Sequence, residues 1–211
     1  MTYYPRRYNY PNQKRKPIDK PSNVENVIEL ARPILHCTMF GVAPREIMGE
    51  KAFKEIKREA QKKADHHCEI CGRFVSHTKD TGDWLYTHEC FEVNHEKHEY
   101  TFKRFICICH ECHLFIHQGF LNVMLEDKKV NQQYVDKVLK HGEQLLQLAG
   151  YKKQLNLDVE QIYYLSYKGQ RYINDYFPDI AKKAYLRGLN IIHWKEIPKI
   201  LPEDWYYHSF N

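Results

Sequence analysis

The chain predicts an α+β fold, in which a mainly α-helical body carries one metal-stapled unit of two strands and a helix. Three features predict it. Helix-period apolar runs with capping residues flank the middle of the chain on both sides. Between them, residues 66–119 hold six of the seven cysteines and nine of the thirteen histidines. Inside that segment, two β-prone runs precede a Cys- and His-rich stretch with helical spacing.

With 211 residues and 25.5 kDa, the chain can bury the core of one sizeable domain or two small ones. Its longest apolar runs fall far short of the roughly 18 residues of a membrane span. The first residues carry no apolar stretch of the secretory kind, so a cytoplasmic protein with no membrane partner is expected, in a bacterial host cell if the chain is phage-encoded. An odd number of cysteines in a reducing compartment favours metal binding over disulfides. The formal net charge of +5 permits an acidic polymer as partner without requiring one.

Four segments follow from the pattern. Residues 1–22 form a basic, proline-broken arm containing Arg6, Arg7, Lys14, Arg15 and Lys16. Such an arm either tethers nucleic-acid phosphate or is a solvated tail. Residues 23–65 predict two helices. The first is capped by Ser22 and runs from Asn23 to about Arg32; the second runs from about Arg45 to Ala64 with Ile47, Phe53, Ile56 and Ala60 on one buried face. Residues 66–120 form the metal-bearing unit. Residues 121–211 predict a helical, aromatic-rich region, led by a helix over 130–148 through Val135, Val138, Leu139, Leu145, Leu146 and Leu148 and ended by Gly150. Its aromatic residues, among them Tyr163, Tyr164, Tyr167, Tyr172, Tyr176, Phe177, Trp194, Trp205, Tyr206 and Tyr207, suit a scaffold better than a base-stacking surface.

The metal-bearing unit holds two Cys-x-x-Cys pairs, Cys68/Cys71 and Cys109/Cys112. That spacing lets one tight turn present two thiolates, and two such pairs complete a tetrahedral, structural Zn2+ site with no position left for water. Cys37, Cys90 and Cys107 remain and are expected to be small buried hydrophobes. Trp84 to Glu89 is β-prone up to His88-Glu89, and Phe91-Glu92-Val93 with Tyr100-Thr101-Phe102 suggests a hairpin. His113 and His117, four residues apart just after the last cysteine, share one face if the segment is helical. His66, His67, His77, His95, His98 and His110 are expected on the surface or in turns.

Cys-x-x-Cys, a strand ending in His-Glu, then Cys-x-x-Cys-His and a following His resemble the HNH (ββα-metal) nucleases over roughly residues 66–120, about a quarter of the chain. Pro44-Arg45 and Gly49-Glu50 ahead of the first cysteine pair are similar to a bacterial and phage subgroup. The resemblance implies a metal-dependent endonuclease with His88, His113 and His117 on a catalytic ion. That ion would be Mg2+ or Mn2+, with Zn2+ or Ni2+ as further options. By position Glu89 falls where the general base sits, while by chemistry His88 suits that role better, and both stay open. Most active members carry Asp-His or His-His where this chain has His88-Glu89. The motif's middle Asn would fall near Lys103-Arg104, where none is present; Asn94 is the nearest. Two readings follow: an endonuclease acting on nucleic acid, DNA before RNA, or a catalytically inactive zinc module that binds nucleic acid or a protein. Lys103 and Arg104 join the arm as candidate phosphate contacts.

Overall fold

The computed structural model describes residues 23–32, 37–39, 41–75, 84–154, 162–174, 186 and 188–192. Among these residues it is a mixed α+β structure of six α-helices, a short 3-10 turn at Cys37–Met39 and a five-stranded sheet. Among the described residues no helix is long and apolar enough to cross a membrane.

Helix α1 spans Val24–Ala31, and its cap is Asn23 rather than Ser22, which lies outside the described residues. The Asn23 side-chain carbonyl accepts the Glu25 amide at 3.0 Å, which satisfies one of the free N–H groups of the first turn. The helix stops because Arg32 precedes a proline and is held extended, at ψ 152°. The single helix expected over 45–64 is two, α2 (Pro44–Met48) and α3 (Glu50–Lys63). Gly49 divides them at φ 83°, a backbone conformation that other residues rarely adopt. No residue of α3 is fully buried, so Phe53, Ile56 and Ala60 mark an inner face that is only half covered.

The chain forms two compact units that interleave along the sequence. Among the described residues, the first comprises 23–32, 60–75, 84–88 and 106–154; the second comprises 37–39, 41–59, 89–105, 162–174, 186 and 188–192. Strands β1 (Tyr86–Asn94) and β2 (Glu99–Ile108) contribute residues to both.

In the first unit, α4 (His110–Ile116), α5 (Gln118–Glu126) and α6 (Gln132–Ala149) pack with α1 around Leu30, Ile70, Leu85, Ile106, Ile108, Leu114 and Leu145. Asn131 caps α6 by accepting the Tyr134 amide at 3.0 Å, and Gly150 closes it in the left-handed conformation. Leu148, expected on the buried stripe, is 49% exposed on the last turn, so the stripe is not covered to its end. Asn26 ties α1 to the cysteine turn by donating to the Glu69 carbonyl at 2.8 Å.

In the second unit the sheet order is β1-β2-β3-β4-β5, with β3 (Tyr164–Tyr167), β4 (Gln170–Asn174) and β5 (Asn190–Ile192). These three strands stand in the region expected to be helical. Short runs such as Tyr-Leu-Ser-Tyr satisfy strand and helix spacing alike, and pairing with β2 decides for strand. Lys168 and Gly169, both at positive φ, form the two-residue turn between β3 and β4. Tyr100, Tyr163 and Leu165 form the core with Met39 and Val42, flanked by half-buried Tyr167 and Tyr172, so these tyrosines serve as scaffold. Tyr176, Phe177, Trp194, Trp205, Tyr206 and Tyr207 lie outside the described residues.

Candidate metal centre

The sulfurs of Cys68, Cys71, Cys109 and Cys112 all lie within 4.8 Å of one another, and all four residues are buried. The first pair sits on a tight turn. Gly72, at φ 72°, donates its amide to the Cys68 carbonyl at 2.8 Å, and the Cys68 amide donates to the Arg73 carbonyl at 2.8 Å. The second pair sits at the start of α4, with Cys109 as its cap residue. Two thiolates about 2.3 Å from a tetrahedral ion are about 3.8 Å apart, and Cys71 Sγ stands 3.7 Å from Cys109 Sγ.

Proton affinities describe the same cluster. Burial pushes the Cys112 thiol well up, while hydrogen bonds from Cys112, Cys68 and Cys71 hold Cys109 well down. Four buried thiolates cannot ionise together without a cation among them. The donor set therefore fits a metal ion such as zinc.

The second cluster joins the strand to the helix. His88 on β1, His113 on α4 and His117 at the α4 end place their ligand nitrogens within 4.8 Å of one another. Ring centroids are 5.9 Å apart for His88–His113, 5.3 Å for His88–His117 and 4.6 Å for His113–His117. His117 ends α4, yet its amide still donates to the His113 carbonyl at 3.0 Å, which keeps the two imidazoles one turn apart on one side. Strand alternation puts Tyr86 on the same face as His88. Tyr86 stacks on His113 at 4.9 Å and 15° and on His110 at 5.2 Å and 22°. His88 is buried, whereas His113 and His117 are half-exposed. Three neutral nitrogen donors in an accessible setting can hold a divalent ion and leave positions for water or a phosphate oxygen.

Glu89 has a different environment. Its carboxylate is buried, 3.8 Å from the Arg45 guanidinium, and its Oε1 has no hydrogen-bond partner among the described residues. Burial raises its proton affinity, and Arg45 opposes that effect only in part. Lys103 is exposed and pairs with Glu92, and Arg104 is exposed. Arg6, Arg7, Lys14, Arg15 and Lys16 lie outside the described residues. Asn94 does turn work, accepting the Lys97 amide at 2.9 Å. Cys90 and Cys107 are buried as expected; the Cys37 side chain lies outside the described set.

One histidine differs from expectation and a second had none. His110, expected on the surface, is 6% exposed, because as the first residue of α4 it turns inward onto Tyr86 and meets the Tyr134 hydroxyl at 3.1 Å. Burial lowers its proton affinity. His141 went unassigned from sequence, yet it is buried on α6 with Nε2 3.4 Å from Cys112 Sγ. The available signal was its spacing from Val138 and Leu145, which sets it on the apolar stripe. His66 and His67 are exposed beside the cysteine turn, His95 and His98 are in the β1–β2 turn, and His77 lies outside the described residues. Comparison with family models, curated proteins and solved structures finds no match for this chain.

Proposed function

We propose that this chain is a metal-dependent endonuclease of the HNH (ββα-metal) kind, hydrolysing phosphodiester bonds in nucleic acid, with DNA as the expected substrate. The observation that carries the reading is the meeting of His88 with His113 and His117, one imidazole from a strand and two from the following helix, within 4.8 Å. The order of elements, strand–strand–helix with two residues of a four-cysteine cluster at the start of that helix, supports it.

In this reading Cys68, Cys71, Cys109 and Cys112 hold a structural Zn2+, and His88, His113 and His117 hold a second divalent ion, Mg2+ or Mn2+. The second ion, when bound, offsets the negative charge that develops on the phosphate as it is cleaved. Tyr86 fixes the plane of the His113 ring by stacking. The proton of the attacking water needs a base that is not itself a ligand: Glu89, the residue after His88, gains proton affinity through burial, which moves a carboxylate toward the range a general base needs, whereas His88 serves as base only where His113 and His117 alone hold the ion. Exposed Lys103 and Arg104 offer positive charge to the nucleic-acid backbone.

Nicking of supercoiled plasmid with Mg2+ or Mn2+ tests the reading. The parent protein should nick, and His88→Ala and His113→Ala should each lose on the order of 100-fold or more while circular dichroism stays unchanged. Equal cutting by all three proteins would overturn it. The second reading, an inactive zinc module, is favoured by Asn94, whose side chain is engaged in a turn. It predicts no metal-dependent nicking together with retained, salt-sensitive DNA binding.

A further inference from the structure

We propose that His141 is an outer-sphere positioning residue for the four-cysteine centre, donating a hydrogen bond to the metal-bound sulfur of Cys112 and slowing loss of the metal. This inference rests on the cysteine cluster and is independent of the nuclease reading. His141 Nε2 lies 3.4 Å from Cys112 Sγ, and both residues are buried, at 8% and 0% exposure. A thiolate bound to a metal has no proton, so the ring nitrogen must be the donor. Four thiolates around one divalent ion leave an excess of two negative charges away from water, and an N–H group aimed at one sulfur offsets part of it. His141 does not belong to the group of mutually close sulfurs, which makes it a partner of one ligand and not a fifth ligand.

The helix that carries His141 is built to come this close. Its neighbour Gly142 lies so near Phe115 that an added Cβ would stand 2.2 Å from the ring. Phe115 is three residues after Cys112 on α4, so the absence of a side chain at Gly142 lets α6 approach at the turn where the thiolate sits. An imidazole on an otherwise apolar stripe between Val138 and Leu145 thereby acquires a polar partner.

The test uses the full chain loaded with zinc and measures metal transfer to an excess of a colorimetric chelator. His141→Phe keeps the ring volume and removes the donor, and should release zinc about 10–100-fold faster than the parent. His141→Gln, whose amide nitrogen reaches the Nε2 position, should stay within about threefold of the parent, well short of the loss expected when an outer-sphere partner is removed. In the cobalt-loaded protein, the sulfur-to-metal charge-transfer band should move to lower energy in His141→Phe and return in His141→Gln. A general packing defect would not show this rescue. Parent-like release by His141→Phe, or equally fast release by the Phe and Gln variants, would overturn the proposal. If His141→Phe does not fold, His141→Asn takes its place, since its shorter side chain falls short of Cys112. Release faster for Asn than for Gln supports the proposal, and equal rates overturn it.

Discussion

The first unit gathers two ligand clusters that differ in access to water. Cys68, Cys71, Cys109 and Cys112 are sealed, with none more than 7% exposed, and they offer four soft, charged donors that fill a tetrahedron. His88, His113 and His117 offer three neutral donors, two of them half-exposed. Four thiolates saturate an ion and make it part of the fold, while three imidazoles with a wet side leave an ion able to bind something else. The contrast lies in donor number and burial together. Either one alone would leave the roles of the two clusters undecided.

The largest effect that can break this contrast comes from Cys68→Ser. If the sealed cluster holds the fold, this variant should lose its tightly bound metal, and its thermal transition should fall by at least about 10 °C. Metal content by mass spectrometry and a thermal melt read both outcomes. A variant that melts with the parent would give the cysteine cluster no structural role.

Gly142→Ala probes the seal itself. The new methyl group would collide with the buried Phe115 ring, a strain of about 2–3 kcal/mol that outweighs the roughly 1 kcal/mol better helix propensity of alanine. The melting temperature should drop by roughly 2–8 °C, and combining the change with Phe115→Leu should recover part of the loss.

The smallest effect belongs to Glu89, which lies in neither cluster and serves as the reference. Because burial raises its proton affinity in the folded chain, the unfolded chain ionises first as pH rises. The carboxyl group's contribution is therefore favourable at low pH and is lost as pH climbs from the ordinary carboxylate range through the raised folded value. Glu89→Gln should melt about 1–3 °C above the parent at neutral pH and level with it near about pH 4, as melts across that range would show.

Much of this arrangement can be read from residue spacing, and the remainder fails for identifiable reasons. Helix α6 is legible because Gly150 ends it and its apolar period is sustained over 18 residues; its start at Gln132, set by the Asn131 cap, falls two residues after the expected Val130. The cysteine cluster is legible because a Cys-x-x-Cys turn is a local object whose two halves need only meet. Helix α3 marks the limit of periodicity: Phe53 and Ile56 identify its inner face, but spacing cannot say how deeply that face is covered. Strands β3 to β5 are hard to read because runs of three to five residues have no distinguishing period, and the pairing that seeds them, β3 on β2, comes from a segment more than 50 residues away, with β4 and β5 added in turn. His141 is hidden for the same reason, since its partner Cys112 lies 29 positions earlier and only the tertiary approach of α6 joins them.

The interruption between α4 and α5 falls on His117 itself, at φ −98° and ψ 55°. A histidine inside a continuous helix would be bound to the helical pitch, with its reach toward His88 fixed. Placed at the bend, it takes its direction from a backbone turn instead of the helical pitch, while its amide and carbonyl stay tied to His113 and Leu121 and hold that direction fixed.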